Sequence, residues 1–179
     1  PEKAETEQCR QFLAETRQRL ADSGMPADEV EAEVWRAFVR TLLRLNEGQG
    51  VHSIYSPNTL QYDGPWDQVL AGPYFYADKK PGDIKRVAIV GLAAGTAAHQ
   101  LTAVYGGIPI DGYELDPKIV EVGQKYFGMT MPNLNVVIGD GRLNLERNDH
   151  KYDIISVDAY RPPYIPPHMT TQEFFRIVA

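Results

Sequence analysis

Four short segments of this 179-residue chain carry residue types that could do chemistry, and their spacing is regular. The first is Gly91-Leu92-Ala93-Ala94-Gly95-Thr96, which follows an apolar run and opens a helical pattern. Small residues there let the backbone approach a ligand, and a helix start offers unpaired N–H groups. Glu114 ends the next apolar run, roughly twenty residues on, where a carboxylate can accept hydrogen bonds from both ribose hydroxyls. The third segment is Ile138-Gly139-Asp140-Gly141. An acid there can accept a bond from an adenine amino group, while the glycines keep the wall thin. The fourth is Val157-Asp158-Ala159-Tyr160. Each has a blander reading: Glu114 as an exposed strand-end acid, Asp140-Gly141 as an ordinary turn pair. Jointly they are far more specific than any one of them, because all four fall at the carboxyl ends of consecutive strands.

The elements that must position these groups follow from hydrophobic patterning. Arg86 to Val90 reads as a short, nearly all-apolar strand, as in a parallel sheet buried on both faces. A helix is expected from about Thr96 to Tyr105 and a strand over Ile108 to Glu114. Asp116-Pro117 then starts a helix to about Phe127, with Asp at the N-cap and Pro at the first helical position. Val136 to Ile138 and Tyr152 to Val157 are the third and fourth strands, and Thr170 to Val178 is a helix. This β-α-β-α-β order predicts a doubly wound α/β sheet over residues 77–179. The sequence stops in that last helix, where a complete domain of this type continues with more strands, so the domain is read as C-terminally truncated.

Upstream, Thr41 to Leu45 and Val51 to Tyr55 flank a glycine-bearing turn and predict a β-hairpin, within a segment spanning 41–76. A short helix is expected from Trp66 to Leu70. Trp66, Tyr74, Phe75 and Tyr76 form an aromatic cluster whose default reading is core filling, with a substrate wall as the rival. Residues 1–40 read as an N-terminal helical segment: one helix over about 5–21, a break at Ser23-Gly24-Met25-Pro26, and a second from near Ala27. Phe12, Leu20, Val34 and Phe38 lie on apolar stripes expected to be buried.

Bulk properties narrow the field. The net charge of −6 disfavours nucleic acid as main partner, since phosphate binding wants a basic face. One cysteine, Cys9, allows no internal disulfide and no multi-Cys zinc site. His52, His99, His150 and His168 lack ligand spacing, so no metal is expected. No apolar run approaches the roughly 18 residues that span a bilayer. No signal peptide is visible, and the chain opens at Pro1 as a processed chain does; a cytoplasmic location is expected. Ser156 lacks the setting of a nucleophile elbow, which argues against serine hydrolase chemistry. The run from Tyr160 through Arg161 to His168 is a stiff, aromatic, proline-rich loop, read as a lid or substrate wall with a plain surface connection as the rival.

From about Thr41 to Phe175 the chain resembles the spermidine synthase family of polyamine aminopropyltransferases. Gly112-Tyr113-Glu114-Leu115-Asp116-Pro117, Ile138-Gly139-Asp140-Gly141 and Tyr152-Asp153-Ile154-Ile155-Ser156-Val157-Asp158 match in order and spacing. Leu45-Asn46-Glu47-Gly48-Gln49-Gly50-Val51-His52-Ser53-Ile54-Tyr55 and Gly64-Pro65-Trp66-Asp67 are similar to a diverged bacterial subgroup, some members of which are fused to membrane-spanning segments. The resemblance implies a Rossmann-like domain of the S-adenosylmethionine-transferase (methyltransferase) type. Its nucleoside is S-adenosylmethionine or decarboxylated S-adenosylmethionine, a co-substrate held by Gly91, Ala93, Gly95, Glu114, Asp140 and Gly141, with no metal. Glu114 would take the ribose and Asp140 the adenine. Asp158 aligns with the first acid of the family's Asp-Ser-Ser-Asp motif, which binds and deprotonates the attacking amine. Trp66, Asp67 and Tyr160 are the expected acceptor-binding residues. A polyamine or other amine is the implied acceptor; a homo-oligomer and a membrane-embedded region in a longer protein are compatible with it.

The departures bear on mechanism. The family's glycine loop carries an Asp that falls on Ala94, and the second acid of Asp-Ser-Ser-Asp falls on Arg161. The Tyr-Gln pair after the hairpin is replaced by Trp66-Asp67. Diamines are cationic at neutral pH and need carboxylates to hold them and accept a proton. Asp158 alone is a thin basis for polyamine specificity, and Ala94 predicts a lost preference for the decarboxylated nucleoside. The leading expectation is transfer of an aminopropyl or other alkyl group to an amine. Its rivals are methyl transfer from S-adenosylmethionine and a non-catalytic ligand-binding or assembly domain. An NAD-dependent reductase fits the acids after the third and fourth strands less well.

Overall fold

The computed structural model describes residues 14–15, 17–27, 29–30, 41–45, 50–57, 59–160 and 164–179. Arg161, Phe12, Val34, Phe38 and the hairpin turn at 46–49 lie outside the described residues. The chain divides into two compact units, one of Pro1–Arg40 with Ser56–Thr59, the other of Thr41–Tyr55 with Leu60–Ala179. In the first unit, residues 17–22 are helical and a turn at Ser23 and Gly24 ends the helix. Ser23 Oγ donates to the Leu20 carbonyl at 2.6 Å, and Gly24 takes φ of +82°, the left-handed stop that glycine tolerates. Beyond the break, Pro26 accepts from the Glu29 and Val30 amides, and Val30 is buried.

The second unit opens with the expected hairpin. Strand β1 (Thr41–Leu43) pairs antiparallel with β2 (Ser53–Tyr55), Leu42 opposite Ile54. Helix α1 (Pro65–Val69) and a 3-10 turn over Gly72–Phe75 follow. Then come β3 (Val87–Val90), α2 (Thr96–Tyr105), β4 (Ile110–Glu114), α3 (Pro117–Tyr126), β5 (Leu134–Ile138), α4 (Gly141–Arg147), β6 (Ile154–Val157) and α5 (Gln172–Val178). The sheet is entirely parallel, in the order β5-β4-β3-β6. The strand order reverses between β3 and β6, and ligands of open α/β sheets bind outside the strand ends at such a switch point.

Strand β3 shows why the sheet is covered on both faces. Successive side chains point to opposite sides. Val87 and Ile89 join Leu101 of α2, Val120 of α3 and Ile110 in one core. Ala88 and Val90 join Tyr113, Leu145 of α4 and Phe174 of α5 in the other. All four β3 residues are buried, so a polar substitution anywhere in the strand would meet an apolar layer. The edge strands β5 and β6 are less buried, with Ile138 and Val157 exposed.

Helix α4 is a difference from the sequence reading, which placed no helix between the third and fourth strands. Asp140 is its N-cap, its Oδ1 accepting from the Leu143 amide at 3.0 Å. Asp116 caps α3 as expected, accepting from the Lys118 amide. A second difference concerns the aromatics. Trp66 packs half-buried against the first core, but Tyr74, Phe75 and Tyr76 are exposed, Phe75 at 84%. The 3-10 turn buries Pro73 and turns those three rings outward, so core filling is corrected for them.

Candidate functional site

The hairpin is fastened to the loop after β3 by three short hydrogen bonds. Thr96 Oγ1 donates to the Ile54 carbonyl and accepts from the Ile54 amide, both at 2.8 Å. Ser53 Oγ accepts from the Ala94 amide at 2.9 Å. Ser53, Ala94 and Thr96 are all buried, so these bonds work away from water, where leaving a partner unpaired is costly. They carry His52, the residue before Ser53, to the carboxyl end of β3.

The loop uses its own amides differently from expectation. Gly91 and Leu92 both donate to the Tyr113 carbonyl, Ala94 to Ser53, and Gly95 to the Leu92 carbonyl. The Ala93 amide donates to Glu114 Oε2 at 2.8 Å. The amides of residues 91–95 are therefore consumed by the protein, and the loop's main effect is to aim Glu114. The Asp116 amide donates to Glu114 Oε1 at 3.1 Å. Clamped on both oxygens and 8% exposed, Glu114 is held rigidly with lone pairs to spare. Ala93 reaches its donor position at φ of +48°, a left-handed conformation that costs a non-glycine residue about 1–2 kcal/mol. Gly91 has no substitute: at φ of +90°, a Cβ there would lie 2.5 Å from the Asp158 carbonyl.

A cavity of about 250 Å³ opens at these strand ends. Gly91, Ala93, Glu114, Asp140, Gly141 and Asp158 all line it, with Tyr160 at its rim. Leu115, Ile119 and Met169 supply apolar walls that the sequence reading did not single out. Gly95 and Ala94 do not line it. Gly95 forms the left-handed N-cap of α2 against Met129, and Ala94 is completely buried. Pro166, His168 and Met169 also line the cavity, and there His168 Nε2 meets Asp140 Oδ2 at 2.9 Å. Arg142 of α4 donates to the His168 carbonyl and to Thr171 Oγ1, tying that segment down. The sequence reading named His168 only as the end of a candidate lid or substrate-wall loop, because its partner Asp140 lies 28 positions away.

A second cavity, about 310 Å³, lies beside the first. Trp66, Val69, Leu92 and Val157 make it apolar; Gln68, Ser156, His52 and Asp158 make its polar contribution. His52, Gly91 and Asp158 line both cavities. Asp158 is solvent-accessible, but the surrounding walls strip away enough water to push its carboxyl above the usual range, while His52 pulls it partly back. Asp67 lines neither cavity. Its Oδ2 accepts from the Tyr62 and Asp63 amides, and its Oδ1 from Gln100, so it braces the turn ahead of α1 instead of facing an acceptor. Among the described residues there is no group of three or more His, Cys, Asp and Glu able to hold a metal, and no helix long and apolar enough to cross a membrane.

A parallel sheet covered on both faces, with a switch point between β3 and β6 and its cavities there, defines a Rossmann-like domain. A family model described as the spermine/spermidine synthase domain matches residues 76–179, and the chain belongs to that family. It is 35% identical over 139 residues to a probable polyamine aminopropyl transferase of Bifidobacterium longum, covering 78% of this chain and 30% of that protein. It is 32% identical over 127 residues to a polyamine aminopropyltransferase of Vibrio vulnificus, covering 65% and 42%. The chain thus spans less than half the length of these curated relatives. A crystal structure of a probable spermidine synthase from Corynebacterium glutamicum shares the fold, with a TM-score of 0.61 at 21% identity, covering 73% of this chain and 48% of that one.

Proposed function

We propose that this chain is the catalytic part of a spermidine synthase-like transferase that moves an aminopropyl or related alkyl group from a sulfonium nucleoside to an amine. The observation that carries the reading is the pair of adjoining cavities that share Gly91, His52 and Asp158. One suits a nucleoside, the other an amine with an apolar body, and a group transferred between them would cross at the shared residues.

The donor set fits S-adenosylmethionine or its decarboxylated form as co-substrate. Glu114 is clamped by two amides yet retains acceptor capacity for ribose hydroxyls. Asp140 and the walls of Leu115, Ile119 and Met169 suit the polar edge and flat faces of adenine. When bound, the sulfonium supplies an electrophilic carbon and a neutral thioether leaving group. This chain's residues hold the nucleoside's ribose and base, and keep a carboxylate, Asp158, beside the amine. The partial desolvation that raises the Asp158 carboxyl leaves its charge less well solvated, so a cation forming beside it is favoured.

Calorimetry with methylthioadenosine, decarboxylated S-adenosylmethionine, S-adenosylmethionine and NAD tests the reading. Binding of the first three with NAD inert is expected. NAD binding alone, or no nucleoside binding, overturns it.

A further inference from the structure

The proposed transfer needs a neutral amine, and the acceptor cavity offers few groups to make one. Besides His52 and Asp158, none of the residues lining the second cavity titrates. In the first cavity His52 shares walls with Glu114, Asp140, His168, Tyr113 and Tyr160. Glu114 is clamped by two loop amides, Asp140 caps α4 and pairs with His168, and the Tyr113 hydroxyl is bonded to Tyr152 and Asn148. His52 differs from those groups. Its Nδ1 is shut away from solvent and has no hydrogen-bond partner, although its backbone amide is fixed to the Leu43 carbonyl at 2.8 Å. A buried polar atom left unpaired is costly and calls for a reason. Ser53 and Ile54, the next two residues, are pinned to the loop after β3, so the hairpin holds the imidazole at the wall between the cavities.

We propose that His52 is the proton acceptor for the attacking amine, and that Asp158 holds the imidazolium that forms. The inference rests on the transfer reading above. The amine nitrogen attacks the carbon bonded to sulfur; a C–N bond forms, and the C–S bond breaks with its electron pair going to sulfur. The nitrogen is then positively charged, and its proton passes to the imidazole. With the neutral ring's proton on the shut-away Nδ1, Nε2 is the atom that takes the amine's proton, and the negative charge of Asp158, which lines the same two cavities, stabilises the imidazolium through space. Imidazole suits this task because it accepts a proton near neutral pH without being charged beforehand. It also supplies a base where the resembled family's second acid has been replaced.

The test is chemical rescue. Nucleoside-loaded chain is assayed with decarboxylated S-adenosylmethionine and S-adenosylmethionine as donors, and butylamine and 1,4-diaminobutane as acceptors. His52→Ala is expected to slow turnover by about 10²–10⁴-fold. Methylthioadenosine affinity should stay within about twofold, which separates this outcome from failure of the nucleoside reading, and free imidazole should restore turnover in proportion to its concentration. Wild-type turnover in His52→Ala, or a loss that imidazole does not restore, overturns the proposal. Should the alanine variant lose nucleoside binding, His52→Gln replaces it; a glutamine enzyme with the wild-type pH–rate profile overturns the proposal equally. If the wild type binds nucleoside but turns over none of these pairs, NMR of the ring signals decides: adding either amine must move the His52 resonance, and an unmoved His52 overturns it. Absence of nucleoside binding in the wild type brings down the transfer reading and this inference with it.

Discussion

The Ala94 amide donates to Ser53 Oγ at 2.9 Å in a fully buried contact between the loop after β3 and the hairpin. This bond fixes both how the loop presents Glu114 and where the hairpin carries His52. Ala94 itself is completely buried, with its Cα packed against Gly123 of α3, and does not line the cavity of about 250 Å³.

Ala94→Asp should therefore act on stability before selectivity. An uncompensated carboxylate at a completely buried position is expected to cost about 3 kcal/mol. Denaturant midpoints measure this. The sequence-based expectation, in which this position chooses between the decarboxylated and ordinary nucleosides, would instead appear as changed preference at unchanged stability. Ser53→Ala should cost about 1–3 kcal/mol by stranding a buried amide.

Glu114→Ala should weaken methylthioadenosine binding by about 1.5–3 kcal/mol, the loss expected for charge-assisted bonds to ribose. Calorimetry reads it directly. Unchanged affinity would count against the nucleoside cavity as assigned.

Asp67→Ala should lower stability by about 1–3 kcal/mol, because two turn amides and the buried Gln100 amide lose their acceptor. In a transfer assay its acceptor KM should stay near that of the wild type. A raised KM at full stability would return Asp67 to the acceptor site.

Asp111 gives the fold a defined acid limit. Burial opposes its ionisation, but hydrogen bonds from Asn135, Tyr152, Arg86 and His150 outweigh that and hold its carboxyl below the usual range. A carboxylate depressed in the folded state stabilises above its unfolded pKa of about 4 and loses that contribution as pH falls through the folded value. Tyr152, pushed upward by burial and by its bonds to Tyr113 and Asp111, works oppositely: its contribution is present below about pH 10 and fades above it. Thermal melts across pH should show both limbs, and Asp111→Asn should lower neutral stability and flatten the acid one.

The sequence by itself determined the β-α-β order, the hairpin, and the acids at the strand ends. Those features are local: an unbroken apolar run at Val87 to Val90, Asp116-Pro117 as a helix start, and glycines where a strand turns. The same local information missed α4, because its N-cap Asp140 is followed by a glycine that reads equally as a turn. Only the tertiary structure decided which polar groups share a wall. His52 stands beside Asp158, about a hundred residues later, because a parallel sheet joins distant strand ends and a buried Ser53 fastens the hairpin there. It likewise decided that neither Asp67 nor Ala94 lines a cavity. Side-chain direction at a turn is set by which amides need acceptors and which spaces are filled, and neither can be read from residue type or spacing.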